Sequence, residues 1–278
     1  MEILRYTAFS TDPAGGNRAG VVLDATGADD AAMLATAAEI GYSETAFVFP
    51  RPDGELDVKY FSPLAEVPFC GHATIATAVA YAERHGVGEL TLHTRAGVIT
   101  VSTDRDTDGS IVATLVSAPP SSEELPSDNL DQILSALGWD ASDLDPQLPP
   151  RVAYAGARHP IIAAATRQRL SDLDYDFEAL SKLMEREDWT TVDLVWRESD
   201  TVFHARNPFP PGGIVEDPVT GAAAAAFGGY LRELKLVDTP ASLTVYQGQD
   251  LGRPGTITVT VPAEPDTGIG VTGTAVAI

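Results

Sequence analysis

The chain has a single cysteine, Cys70, in 278 residues, which excludes an internal disulfide and any zinc site built on several thiolates. Positive charge is scarce as well. Three lysines and fifteen arginines stand against forty acidic residues, and the formal net charge is -22 at pH 7. A chain so charged has little with which to neutralise phosphates, so nucleic acid and anionic membrane surfaces are excluded as partners, and the acidity reads as a solubility feature. Long apolar runs are missing too. The longest, such as 222–231, fall short of the ~20 residues a membrane span needs. The start, Met1-Glu2-Ile3-Leu4-Arg5-Tyr6, has neither a basic segment nor a long apolar one, so no secretory signal is read there and a cytoplasmic protein is expected.

What is present is 44 % apolar content, enough to give two domains of ordinary size a core each. The most informative stretch is Glu66-Val67-Pro68-Phe69-Cys70-Gly71-His72-Ala73-Thr74 with the apolar run behind it. A strand ending near Phe61 turns through Ser62-Pro63 and brings Gly71 and His72 to the first turn of an alanine-rich helix. A helix start offers unpaired backbone N–H groups and partial positive charge, glycine lets a ligand approach the backbone, and histidine adds a titratable group. The plainer alternative is a buried helix whose histidine satisfies a cap. A partial copy favours the site: Glu216-Asp217-Pro218-Val219-Thr220-Gly221 leads into a second alanine-rich run. Glu66, Pro68 and Gly71 recur as Glu216, Pro218 and Gly221, which suggests two related halves with a site between them.

Alternation and turn residues predict strands over 3–9, 20–23, 43–49, 55–61, 90–93, 98–102 and 111–117 in the first half. Asp29 and Asp30 cap a helix over 31–40 that Gly41 ends. Glu44 stands at the mouth of an otherwise apolar strand, a place that suits a carboxyl for proton transfer, although an exposed strand-end glutamate is the simpler reading. The stretch 119–126, rich in proline and acid, reads as a linker. Beyond it come helices over 130–137 and 177–186 and strands over 152–154, 160–165, 192–197, 201–206, 242–247 and 256–261, with a last alternating strand over 269–278. The architecture expected is α+β, in two similar halves, each a curved, mostly antiparallel sheet wrapped around a central helix. The first half spans 1–118, completed by 268–278, and the second 126–267.

Gly16-Asn17, Ser43-Glu44-Thr45-Ala46-Phe47, Phe61-Ser62-Pro63, Glu66-Val67, Cys70-Gly71-His72-Ala73-Thr74, Glu216-Asp217-Pro218-Val219-Thr220-Gly221, and Gln247-Gly248 with Gly252-Arg253-Pro254-Gly255 occur in this order along nearly the whole chain. Together they resemble the phenazine-biosynthesis PhzF-like isomerases, which share the diaminopimelate epimerase fold. The resemblance implies an active site in a cleft between two halves, often a homodimer, with the acid/base glutamate at Glu44, the histidine at His72 and the aspartate at Asp217. Substrate contacts would come from Gly71, Ala73, Thr220, Gly221 and Ala222. The chain departs from the family at Ala222, where a serine usually follows Thr-Gly, and at Arg18 and Gly20, where proline and alanine are commoner. Losing the serine removes a hydroxyl able to bind a substrate carboxylate.

The chemistry expected is a cofactor-free isomerisation in which Glu44 moves a proton between two carbons of a small carboxylated cyclic or amino-acid-like metabolite. His72 and Asp217 would orient and polarise that substrate. An epimerase working with two opposed thiols needs a second cysteine, and Cys70 reads as a small buried filler. A binding protein without turnover would keep the cleft but has no use for Glu44. No metal is expected, because His85, His93, His159 and His204 show no ligand spacing. The glycine-rich 247–255 lacks the ending of a phosphate-binding loop and reads as a tight turn.

Overall fold

The alternating N-terminal segment is strand β1 (Leu4–Ala8), and the turn cluster after it leads into β2 (Asn17–Val22). The computed structural model describes residues 1–278. Helix α1 (Asp30–Ile40) opens where the Asp29 carboxylate accepts from the Ala32 N–H at 2.8 Å and closes at the left-handed Gly41, two end signals that the sequence displays openly. There follow β3 (Glu44–Pro50), β4 (Leu56–Phe61), the two-residue β5 (Glu66–Val67), α2 (Gly71–His85), β6 (Glu89–Thr94), β7 (Gly97–Arg105) and β8 (Ile111–Val116). The remaining elements are β9 (Ser121–Glu124), α3 (Ser127–Leu137), β10 (Arg151–Tyr154), β11 (Arg158–Ala163), α4 (Arg167–Ser171), α5 (Phe177–Glu187), β12 (Asp193–Arg197), β13 (Val202–Phe209), β14 (Ile214–Asp217), α6 (Gly221–Glu233), β15 (Ala241–Gln247), β16 (Gly255–Val261) and β17 (Gly270–Ala277). The chain divides into one unit of Met1–Val116 with Thr272–Ile278 and another of Ser117–Val271.

In the first unit the pairings run β1 to β2, β2 parallel to β3, then β4, parallel to β6, then β7, β8 and β17, which pairs back to β1. The sheet closes on itself and leaves no bare edge in this ring. Helix α2 is its axis. From His72 to Ala80 every side chain is buried, and a helix of alanine, threonine, valine and one isoleucine is slim enough for strands to approach on all sides. Helix α1 packs outside the ring, where Met33 and Ala37 join Val22, Phe47 and Phe61.

The second unit repeats the order of the first. Strand β10 pairs with β11, β11 runs parallel to β12, β12 pairs with β13, β13 runs parallel to β15, and β15 pairs with β16. The short β14 lies on β13 just before α6, as β5 lies on β4 just before α2. Helix α6 is buried from Ala223 to Leu231. The outer helices α3 and α5 cover the sheet through Ile133, Leu134, Leu137, Leu180, Leu183 and Met184.

One expectation is corrected. The supposed linker 119–126 contains β9, which pairs antiparallel with β10, Glu123 opposite Val152. Three of its four side chains are exposed. Such a strand is held by its backbone pairing and by Arg151 and Arg158, which donate to Ser122 and Glu123, so it has no apolar alternation by which a sequence could announce it.

Candidate active site

Helix α1 stops at Gly41, and three residues later Glu44 opens β3, opposite Ala19 of β2. Strand β2 itself starts at Asn17. The parallel pairing of β2 with β3 therefore brings Asn17, Ser43 and Glu44 to one end of the sheet, where α2 begins at its second residue with His72. Close packing there requires Gly20. A Cβ on it would lie 2.5 Å from Thr45 Oγ1 and 3.0 Å from Ile40 Cδ1, so the departure from alanine at this position fits the neighbours this chain has. The helix start is braced from behind: the Cys70 carbonyl accepts from the Thr74 N–H at 3.0 Å and from Thr74 Oγ1 at 2.7 Å, and Tyr60 meets that hydroxyl at 2.6 Å.

Around His72 the groups form a cluster. Its Nε2 lies 3.4 Å from Glu44 Oε2 and 3.3 Å from Ser43 Oγ. Its Nδ1 lies 3.3 Å from Asn17 Nδ2 and 3.4 Å from Cys70 Sγ. Cys70 Sγ is also 3.5 Å from Glu44 Oε2 and donates to it. Asn17 Nδ2 is a donor only, so Nδ1 accepts and the ring hydrogen sits on Nε2, facing Glu44. These contacts are long, as acid/base contacts commonly are before a substrate draws them in. The Glu44 side chain keeps 20 % of its surface, against 9 % for His72. The carboxylate, with the exposed Ser43 beside it, is thus on the side of the cluster that a ligand reaches.

Glutamate, cysteine and histidine are also metal donors, and their ligand atoms lie within 4.8 Å of one another. The sulfur, however, stands 3.4 Å from Nδ1 and 3.8 Å from Nε2 of the same ring. Nearly equal distances to both nitrogens place it off the in-plane lone-pair direction of either, whereas an ion shared with a histidine lies along that direction. The arrangement is that of a hydrogen-bonded cluster, with Cys70, buried as expected, among its members.

The second motif builds a different environment in its own unit. Register pairs Asn207 with Asp217 and Pro208 with Glu216 across β13 and β14. The Arg206 guanidinium donates to the Glu216 carboxylate through Nε at 3.0 and 3.2 Å and Nη2 at 2.6 Å, and Nη1 donates to the Ser171 carbonyl at 2.8 Å. Glu216 is the counterpart of Glu66, yet its side chain is 1 % exposed and that of Glu66 24 %. Asp217 lies three residues before the N-cap Thr220, whose hydroxyl donates to Asp217 Oδ2 at 2.6 Å. Helix α6 then presents Gly221, half-buried, and Ala222, exposed. Ala222 holds the helical position that His72 holds in α2, and Thr220 the cap position of Cys70.

Of the residues singled out in the sequence, Glu44, Gly71, His72 and Ala73 come together in the first unit, and Asp217, Thr220, Gly221 and Ala222 in the second. Sequence reading missed the side chains that brace them: Asn17, Ser43 and Gln247 were seen only as motif letters, because their contacts depend on strand register.

Behind Asp217 runs a buried polar chain. His159 Nδ1 meets Thr191 Oγ1 at 2.8 Å, that hydroxyl donates to Asn207 Oδ1 at 2.6 Å, and Asn207 Nδ2 donates to Asp193 at 3.0 Å. Burial pushes the Asp193 carboxyl up to about 7 and the His159 imidazole down to about 4. Folded Asp193 holds a proton that the unfolded chain releases near pH ~3.9, so its contribution is full below that pH and is lost as pH rises through about 7. Folded His159 refuses a proton that the unfolded chain accepts near pH ~6.5, so its contribution is present above that pH and is lost as pH falls through about 4. Between these limits the slopes oppose, each at most ~1.4 kcal/mol per pH unit. Relative to the parent, Asp193→Asn should become more stable with rising pH across this window and His159→Gln less stable. Urea midpoints measured against pH check this; parallel profiles for all three proteins would contradict it.

A family model described as "Phenazine biosynthesis-like protein" matches residues 6–278. The chain is 32 % identical over 266 residues to an "Uncharacterized isomerase YddE" of Escherichia coli O157:H7, covering 94 % of this chain and 90 % of that one. It is 31 % identical over 251 residues to the trans-2,3-dihydro-3-hydroxyanthranilate isomerase of Pseudomonas fluorescens, covering 89 % and 85 %. Among solved structures, a phenazine biosynthesis protein of the PhzF family from Bacillus anthracis superposes with a TM-score of 0.88 at 27 % identity, covering 100 % of this chain and 98 % of that one.

Proposed function

We propose, from the premise that this chain belongs to the phenazine biosynthesis-like protein family, that it is an isomerase whose Glu44 carries a proton between two carbons of a small carboxylated, cyclic or amino-acid-like metabolite. The observation that supports this reading is the placement of the Glu44 carboxylate. It is a solvent-reachable acceptor at the mouth of an apolar strand, with the Nε2–H of His72 and the thiol of Cys70 both within 3.5 Å of Oε2. As carboxylate it removes a proton from one carbon, leaving negative charge that the Nε2–H of His72 and the backbone N–H groups at the start of α2 stabilise. As carboxylic acid it returns the proton to a second carbon, and the enzyme ends in the state in which it began. The side chains suffice for this step, so no cofactor enters the proposal. Asp217 is assigned a supporting role, as an acceptor for a polar group of the substrate.

The compound that the Pseudomonas fluorescens relative is named for, trans-2,3-dihydro-3-hydroxyanthranilate, has the proposed chemistry and is the first to try. Incubated with the protein in deuterated buffer and followed by NMR, it should convert to an isomer carrying deuterium at a carbon. A proton passed across without exchange leaves no label, so the rate of product formation is followed as well. Binding without conversion, for this compound and for a panel of cyclic carboxylates, would make the chain a binding protein and end the isomerase reading.

A further inference from the structure

The buried Gln247 touches only one side of the second motif, and every polar atom of its carboxamide is used there. The Thr220 N–H donates to Oε1 at 2.9 Å, while Nε2 donates to the Asp217 carbonyl at 2.8 Å and to Thr220 Oγ1 at 3.0 Å. The partners dictate which end is which. An amide N–H faces only an acceptor and a carbonyl only a donor, so the carboxamide has one allowed orientation. Gly248 holds it there: at φ 86° it turns the chain so closely that a Cβ would lie 2.2 Å from the Arg253 carbonyl oxygen and 2.9 Å from that of Pro218.

The Thr220 hydroxyl has one hydrogen. Because its oxygen receives the N–H of Gln247, that hydrogen is committed to Asp217 Oδ2 at 2.6 Å. We infer that Gln247 is a positioning residue for the second motif, acting through Thr220 to keep a proton donor on the Asp217 carboxylate and so to hold it in its charged form and in one rotamer. Its bearing on catalysis rests on the functional reading above, in which Asp217 serves the reaction. A donor to the charged form favours that form, and a side chain locked by a buried neighbour is oriented before the substrate arrives.

Glutamate in place of Gln247 is the decisive probe, since it keeps the size and reverses the polarity of one end. An oxygen then faces the Asp217 carbonyl and Thr220 Oγ1, the hydroxyl turns its hydrogen toward residue 247, and Asp217 Oδ2 loses the hydrogen bond that Thr220 supplies. The readout is the carboxyl carbon resonance of 13C-labelled protein that disappears in Asp217→Asn. Its titration midpoint should rise by about one pH unit in Gln247→Glu. It should rise also in the near-isosteric Thr220→Val, which removes the hydroxyl donor without adding the charge that glutamate brings beside Asp217. Thr220→Val carries the test alone should Gln247→Glu not fold. An unmoved midpoint with a lowered melting temperature would make Gln247 a structural filler and overturn the inference. The titration needs no substrate, so the failures separate: full turnover by Asp217→Asn would remove Asp217 from the reaction while leaving the Gln247 relay standing.

Discussion

Glu44→Gln is expected to slow turnover by about 10²–10⁴-fold while melting and binding ligand much as the parent does. The amide matches the carboxyl in size and can turn its oxygen toward His72 Nε2 and Cys70 Sγ, the two groups within 3.5 Å of Glu44 Oε2. With 20 % of the side chain exposed, little desolvated charge is removed, so stability has small reason to change. What the amide lacks is a proton it can surrender and recover. Because one carboxyl serves both halves of the transfer in the proposed cycle, its loss belongs at the upper end of that range. Rates of product formation by NMR, ligand affinity by calorimetry and a melting curve on the same preparations separate the outcomes. Parent-like turnover would reduce Glu44 to a strand-end residue and take the proton-shuttle mechanism with it.

Why Glu44 stands out in the sequence while its neighbours do not is a matter of distance along the chain. Local signals survive translation into structure: Asp29 and Gly41 bound α1, and the alanine-rich runs behind Gly71 and Gly221 become the buried helices α2 and α6. Each depends on residues within one or two turns of itself. The contacts that tune the sites do not. Asn17 reaches His72 across 55 positions and Gln247 reaches Thr220 across 27, and both require a pairing register that no short window contains. Cys70 is buried, as its reading as a small filler expects, and what that reading leaves out is the Glu44 carboxylate near its sulfur, 26 positions away along the chain, which the parallel pairing of β2 with β3 brings there.

The repeat of Glu66 as Glu216 shows the limit from the other side, since identical letters acquired different work. Glu66 sits at 24 % exposure, 3.4 Å from the exposed Arg95. An ion pair of that kind contributes about 0–1 kcal/mol. Glu216, at 1 %, is sealed against Arg206. Burial is a property of the β13–β14 pairing and of the carbonyls of α4 above it, neither of which the motif encodes.

That sealed pair carries the second large effect. Arg206→Met should destabilise the protein by about 3–5 kcal/mol, the cost typical of stripping a buried charge of its partner. Every hydrogen bond found for the Glu216 carboxylate comes from Arg206, so nothing on its side replaces the guanidinium. The reverse change is milder. In Glu216→Gln the guanidinium still donates to the Ser171 carbonyl at 2.8 Å, and the new amide oxygen accepts from it, which argues for a loss nearer ~1–3 kcal/mol. The carboxylate left alone in Arg206→Met must draw in water or take up a proton. This variant alone should therefore recover stability as pH is lowered toward 5, in proportion to the proton that folded Glu216 binds and the unfolded chain does not. Replacing both residues, Arg206→Met with Glu216→Leu, should restore most of the loss, because a buried ion pair exchanged for apolar groups of similar volume is often neutral or better. Urea unfolding of the parent and the three variants at pH 7 and pH 5 supplies the comparison. Equal losses for the two single changes, with no response to pH, would show that the pair is wetter than its 1 % and 9 % exposures indicate, and that the second motif is anchored by something other than this charge pair.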